Sequence, residues 1–144
     1  MIPEIKIKVE IGFKEEEIKI TSSKDAANVF KRLFDADLIQ WREEVIMLCL
    51  NRNNVVIGYY KLASGGTTSC VVDAKMIYTI ALNSTASSII LAHNHPSGNL
   101  NPSEIDKELT NKLIEAGKLL DIVLLDHLII TNDSHFSMAD EGVI

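Results

Sequence analysis

The sequence predicts an α/β fold in which helices flank a mixed β-sheet. Three observations point there. Strand-length apolar runs, VIMLCL at 45–50 and SSIILA at 87–92 among them, alternate along the chain with segments whose apolar residues recur at helical spacing. VIMLCL and VVIGYYKL are separated only by NRNN, so they should form an antiparallel hairpin. The 144 residues are 47% hydrophobic, enough for one core and too few for two domains of ordinary size.

Residues 1–20 precede the domain expected at 21–144. In PEIKIKVEI, residues Ile5, Ile7, Val9 and Ile11 alternate with charges at a period of two, which predicts a half-buried strand or amphipathic arm. Ser22 stands three residues before Asp25 like a capping box, and Ala26, Val29, Phe30, Leu33 and Phe34 follow at helical spacing, so a helix is expected near 23–35. The hairpin of 45–50 and 55–62 comes next. ASGGTTSC then reads as a loop, DAKMIYTIALN carries mixed helical periodicity, and SSIILA looks like a buried strand. After the loop HNHPSGNLNP, residues Ile105, Leu109, Leu113 and Ile114 define a helix that Gly117 would end as a C-cap. DIVLLDHLIIT supplies one or two strands and TNDS a turn.

The formal charge of -6 gives a field that repels phosphate backbones, so composition offers no support for strong nucleic-acid binding. No window approaches the roughly 20 apolar residues of a membrane span, and the first residues lack a secretory apolar block, so a soluble cytoplasmic protein is expected. Cys49 and Cys70 have neither CxxC spacing nor secretory context and read as core or near-core thiols. Trp41 is read as a core anchor, and His135, in the turn after Asp133 and Ser134, as a surface residue.

The stretch LAHNHPSGNLNPSEID (91–106) carries the chemistry. At the end of a strand, His93 and His95 would project to the same side, with Asn94 pointing elsewhere. Pro96 and Gly98 set a turn, and Asp106 falls in the first turn of the following helix, where its carboxylate can face back to the histidines. Two nitrogens, one carboxylate oxygen and a fourth position left to water describe a catalytic zinc better than a closed structural one. Such a centre also needs a carboxylate off the metal to move protons. Ser103 and Asp106 equally describe a plain helix cap, since an acid in a first turn is favoured by the helix dipole.

His93-Asn-His95-Pro, then Ser103-x-x-Asp106, resembles the JAMM motif of the JAB/MPN metalloprotease family, and HNHPSG is similar to its RadC branch in particular. The resemblance extends from SSKDAA near 22 through REEVIMLCLN and LLDHLIIT to FSMADEGVI. It implies a JAB/MPN, cytidine-deaminase-like fold and a Zn2+ ion held by His93, His95 and Asp106. It implies that Ser103 assists at the tetrahedral intermediate or the metal's water, and that an upstream glutamate shuttles protons. Counted back from Asn51, that glutamate is Glu43; Glu44 should point to the opposite face. Asp126-His127 also matches, and His127 is read as a supporting residue rather than a ligand, because three ligands are already present. Longer RadC proteins carry a helix-hairpin-helix region absent from these residues, and VVDAKM stands where many relatives have Val-His-Pro-Arg-Glu, so contacts made by either are not carried over.

The function expected is therefore a zinc-dependent hydrolase of peptide or isopeptide bonds, acting on a peptide or protein substrate. The alternative is a non-catalytic JAB-fold binding module in a DNA repair or DNA-transaction complex. SGGTTS lacks the GxxxxGK[ST] pattern and suits a loop beside a substrate cleft better than a phosphate cradle. An HNH nuclease disperses its three letters through a ββα unit. A zinc deaminase shows His-x-Glu followed by Pro-Cys-x-x-Cys, which is absent here.

Overall fold

The computed structural model of the protein describes residues 1–12, 14–65 and 72–144. Its elements in chain order are α1 (Ser23–Leu33), β1 (Glu44–Leu50), β2 (Val56–Ser64), α2 (Ala74–Asn83), β3 (Ser88–Asn94), α3 (Glu104–Leu120), β4 (Val123–Ile130) and β5 (His135–Ser137). The sheet runs β2-β1-β3-β4-β5. The pair β3–β4, joined through α3, is parallel and the other pairs are antiparallel, so the sheet is mixed.

β1 and β3 are buried along their whole length, which explains why VIMLCL and SIILA read as continuous apolar runs rather than alternating ones. Their side chains divide by parity. Ile46, Leu48, Leu50, Ile90 and Ala92 pack with Phe30 and Ala26 of α1 on one face. Met47, Cys49, Ile89 and Leu91 pack with Ile77 of α2 and Leu113 of α3 on the other. The result is a three-layer sandwich with a core on each side of the sheet.

The hairpin turn follows its composition. Asn51 Oδ1 accepts from the backbone of Asn53 and Val55, and Asn54 takes a positive φ of 59°, a conformation asparagine tolerates. Ser22 caps α1 by accepting from Asp25 N, but the reciprocal carboxylate bond goes to Thr21 N rather than to Ser22. α1 ends at Leu33, two residues before the predicted end.

Three expectations need correction. The arm at 3–12 forms no strand: Ile5 and Ile7 are 90% and 73% exposed, and the one isolated bridge among the described residues joins Lys19 to Val55. Alternation without a partner strand leaves the backbone unpaired, so the pattern alone could not order it. Trp41 is 69% exposed, because Ile39 of the same turn occupies the core beside α1. α3 does not stop at Gly117; it continues to Leu120 and ends at Asp121 with a φ of 54°. DIVLLDHLII, expected as one or two strands, forms one, β4. Cys49 is buried as expected, whereas Cys70 and the loop 66–71 lie outside the described residues.

Gly117 is required by close approach. A Cβ there would sit 2.2 Å from the Ile122 carbonyl oxygen and 2.9 Å from the Tyr78 hydroxyl. An ordinary helical Gly→Ala change stabilises by up to about 1 kcal/mol. Gly117→Ala should instead destabilise by about 1–3 kcal/mol through overpacking, read as a lower denaturant midpoint at unchanged slope.

Candidate metal centre

The site forms where the end of β3 meets the start of α3. His93 is paired with Val45 on one side and Ile129 on the other, so its backbone is held between two strands. Its parity places it on the α2/α3 side of the sheet. Past the strand, His95 N reaches the Ile130 carbonyl, and Gly98 N closes a turn onto the His95 carbonyl. Gly98 adopts a φ of 81°, which favours glycine. This turn leads into α3, whose capping box is complete: Ser103 Oγ accepts from Asp106 N at 3.1 Å, and Asp106 Oδ2 accepts from Ser103 N at 2.8 Å.

That cap aims Asp106 back at the strand. Its Oδ2 lies 3.3 Å from His93 Nε2 and 3.5 Å from His95 Nε2, and the two Nε2 atoms are 2.8 Å apart. The three ligand atoms lie within 4.8 Å of one another, so His93, His95 and Asp106 could hold a metal ion. A tetrahedral centre with bonds of about 2.0–2.1 Å separates its ligand atoms by about 3.3 Å, which these distances bracket. The donor types fit as well. His95 Nδ1 donates to the Asn99 carbonyl at 2.6 Å, so in the neutral ring the Nε2 lone pair faces the centre.

Asn94, between the histidines, turns to the opposite face and is wholly buried. Its Oδ1 accepts from Glu44 N at 2.7 Å, and its Nδ2 donates to the carbonyls of Ile39 and Arg42, each at 2.8 Å. It thereby pins the segment 39–44 that carries Glu43. Glu43 is half-buried one residue before β1, and its carbonyl accepts from Gly65 N. Continued from Val45, parity puts Glu43 on the His93 side, and its charge acts on His95. Glu44 faces away and pairs with Arg42 at 3.2 Å.

His127 lies outside the group that could hold a metal ion. It stands behind His93, with Nε2 2.8 Å from His93 Nδ1 and Nδ1 2.7 Å from Thr110 Oγ1. A register shift at Ile89/Ile90 changes the parity of β4 after Leu124, which places His127 on the α3 side. Asp126 faces the other way and accepts from Ser137 Oγ, Ala139 N and His127 N, so it ties β5 to β4 rather than orienting the imidazole. His135 is half-exposed in β5. Sequence reasoning missed Thr110 and the anchoring role of Asn94; the one available signal for Thr110 was its position four residues after Asp106, on the same helix face.

Burial opposes the charge on Asp106, but hydrogen bonds from His93 and His95 outweigh it and hold the carboxyl far below the usual range. Burial also pushes His95 down, yet Asp106, the Asn99 carbonyl and Glu43 leave it raised. His127 is pushed down to about 3 by burial and by the charge of His93. A cleft of about 320 Å³ borders His95, lined by Pro96, Leu100, Thr131 and Asn132 among others. The larger cavity, about 790 Å³, lies between the arm and β2 and contains none of the site residues.

Two consequences can be measured. Asn94→Ala should cost about 2–4 kcal/mol, because it strands a buried N–H and two carbonyls; the denaturant midpoint reads this loss. The low value of His127 sets a pH dependence. Its ordinary value is 6.5, so between 6.5 and about 3 the unfolded chain binds the extra proton. Stability of the metal-free protein is thus fully present above pH 6.5 and falls as pH drops through that window. His95, with its raised value, acts in the opposite sense and above 6.5. Urea midpoints followed on the acid side should show a shallower slope in His127→Asn than in the native chain.

Comparison with known proteins agrees with this geometry. Residues 20–143 match the model of the RadC-like JAB domain. A UPF0758 protein of Flavobacterium johnsoniae is 44% identical over 125 residues, which are 87% of this chain and 53% of that protein. A UPF0758 protein of Salinibacter ruber is 39% identical over 131 residues, 90% of this chain and 54% of the relative. One from Methanosarcina barkeri is 33% identical over 141 residues, 98% of this chain and 60% of the relative. The chain spans about half the length of the curated relatives it matches. With the match covering everything after the arm, and with the two histidines and the aspartate of its motif meeting at one point, the chain belongs to the RadC-like JAB domain family.

Proposed function

We propose that the chain is a zinc-dependent hydrolase of peptide or isopeptide bonds. The observation that carries this reading is the convergence of His93 Nε2, His95 Nε2 and Asp106 Oδ2 beside an independent carboxylate, Glu43. A three-ligand set leaves one position for chemistry, as in catalytic rather than structural zinc sites. Zinc held there would supply a polarised carbonyl and a source of hydroxide near neutral pH.

The protein's own groups do the rest. Glu43 takes a proton from the attacking water and delivers it to the leaving amine, which requires an acid close to the ligands but not among them. Ser103 accepts the Asp106 N–H with an oxygen lone pair, leaving its hydroxyl hydrogen to donate to the oxyanion. The cleft beside His95 offers room for the substrate chain. Asn94, by pinning residues 39–44, sets where the Glu43 carboxylate stands relative to the histidines. The excess of 20 acidic over 14 basic residues weighs against a nucleic-acid substrate.

The test combines metal analysis with cleavage of a peptide and isopeptide panel. Native protein should carry one zinc per chain, and Asp106→Asn should lose it. Glu43→Gln should keep the zinc and lose about 10²–10⁴-fold in kcat, the range expected for a general acid–base group. A chain with no zinc, or a Glu43→Gln variant cleaving at the native rate, would overturn the proposal. Stoichiometric zinc with no cleavage of any panel member would favour the non-catalytic binding module.

A further inference from the structure

Two unsatisfied features lie side by side at the β2 end of the sheet. β2 is an outermost strand, paired with β1 on one side. On its other side, among the described residues, its one backbone bond runs from Val56 N to the Ile18 carbonyl at 2.8 Å. Its sequence, VIGYYKLAS, has a single charged residue, Lys61, and no proline, so little in it deters another strand. The arm is the second feature. Ile5, Ile7, Val9 and Ile11 share one parity and are 90%, 73%, 45% and 59% exposed, a β-branched stripe left in solvent.

Within one chain the stripe does not reach that edge. The antiparallel bridge pairs Lys19 with Val55, partners whose numbers sum to 74, so the same register continued would set 57–64 against 10–17. That stretch holds Glu15, Glu16 and Glu17 in succession, and glutamate is depleted in strands. Glu16 is also tied to α1, its carboxylate meeting Arg32 at 2.8 Å. Residues 5–9 would fall beyond Ser64, past the end of β2. The arm consequently stands away from β2 across the cavity of about 790 Å³. Val29, Leu33 and Tyr59 line this space on the α1 face of the sheet, and Ile80 of α2 and Tyr60 line it on the other. One residue of a strand within a sheet takes roughly 160 Å³, so the space has room for about five.

We propose that the outer edge of β2 is the docking site for a second copy of this chain, with residues 5–11 of each copy's arm adding a strand to β2 of the other. Pattern and length select this occupant. The stripe supplies a β-branched side chain at every second position, and such residues pair favourably with aromatics across a ladder. Tyr59 and Tyr60 present one half-exposed ring on each face, so the stripe meets a ring on whichever face it lies. The exchange is reciprocal: both stripes and both edges are covered together, and the assembly closes as a two-fold dimer. Residues 16–20 stay with their own body, through the Arg32 ion pair and the Lys19–Val55 bridge, and each arm crosses from that anchor. His93, His95 and Asp106 are not among the residues lining this cavity, so the docking does not depend on a metal ion.

The test uses the whole chain. At about 100 μM, sedimentation equilibrium should give twice the mass of one chain, as a dissociation constant well below that concentration requires. Hydrogen exchange under the same conditions should show residues 5–11 and 57–64 both protected. The double variant Ile7→Asp with Val9→Asp changes two side chains that lie outside the core, so it should fold as the native chain does, with unchanged protection of α1 and β1. It should sediment as single chains and lose protection in both segments. Single chains of the native protein at that concentration overturn the inference, and both segments protected in them would show the arm closing on its own β2 instead. A dimer that survives the double variant overturns it as well, as does a dimer in which either segment stays unprotected.

Discussion

One oxygen atom organises the site. Asp106 Oδ2 accepts the Ser103 backbone N–H that completes the cap of α3, and the same atom faces both histidine Nε2 atoms. The bond that starts the helix thus fixes the direction of the carboxylate. A free aspartate would sample several rotamers; this one is held in the one that meets β3. The hydrogen-bonding needs of a helix N-terminus and the geometric needs of a ligand set are met by the same contact, which is why Ser103-x-x-Asp106 serves as a cap and as half of a metal motif.

The histidines depend on the opposite constraint, the rigidity of a strand buried between two neighbours. β3 is paired on both sides and covered on both faces, so His93 has little freedom to move. Strand alternation then gives three consecutive residues separate tasks. His93 and His95 turn to the ion site, and Asn94 turns to the far face to hold the segment that delivers Glu43. The group that could hold a metal ion and the Glu43 carboxylate are thereby registered against each other through one short stretch of chain, although Glu43 stands fifty residues upstream.

Much of this was legible without coordinates. The apolar runs of β1 and β3, the Asn-rich hairpin turn and the periodicity of α3 correspond to the observed elements because each is a local pattern reinforced by burial. The arm failed as a strand because alternation states only a preference and pairing requires a partner, which residues 1–20 find, among the described residues, only at the Lys19–Val55 bridge. Gly117 misled as a helix end because a glycine admits two explanations, positive φ and close approach, and only the position of Ile122 and Tyr78 separates them. Trp41 was expected inside on hydrophobicity alone, but Ile39 fills that part of the core.

The sequence by itself determined the candidate metal site: the spacing of His93, His95, Ser103 and Asp106 is short enough for strand and helix-cap geometry to bring them together locally. Only the tertiary structure decided what stands behind them. The parity of β4 depends on a register shift opposite Ile89, and that shift turns His127 rather than Asp126 toward α3. Thr110 meets His127 because α3 packs across β4, a contact between segments seventeen residues apart. Contacts of that kind follow from how layers stack, and no periodicity in the chain records them.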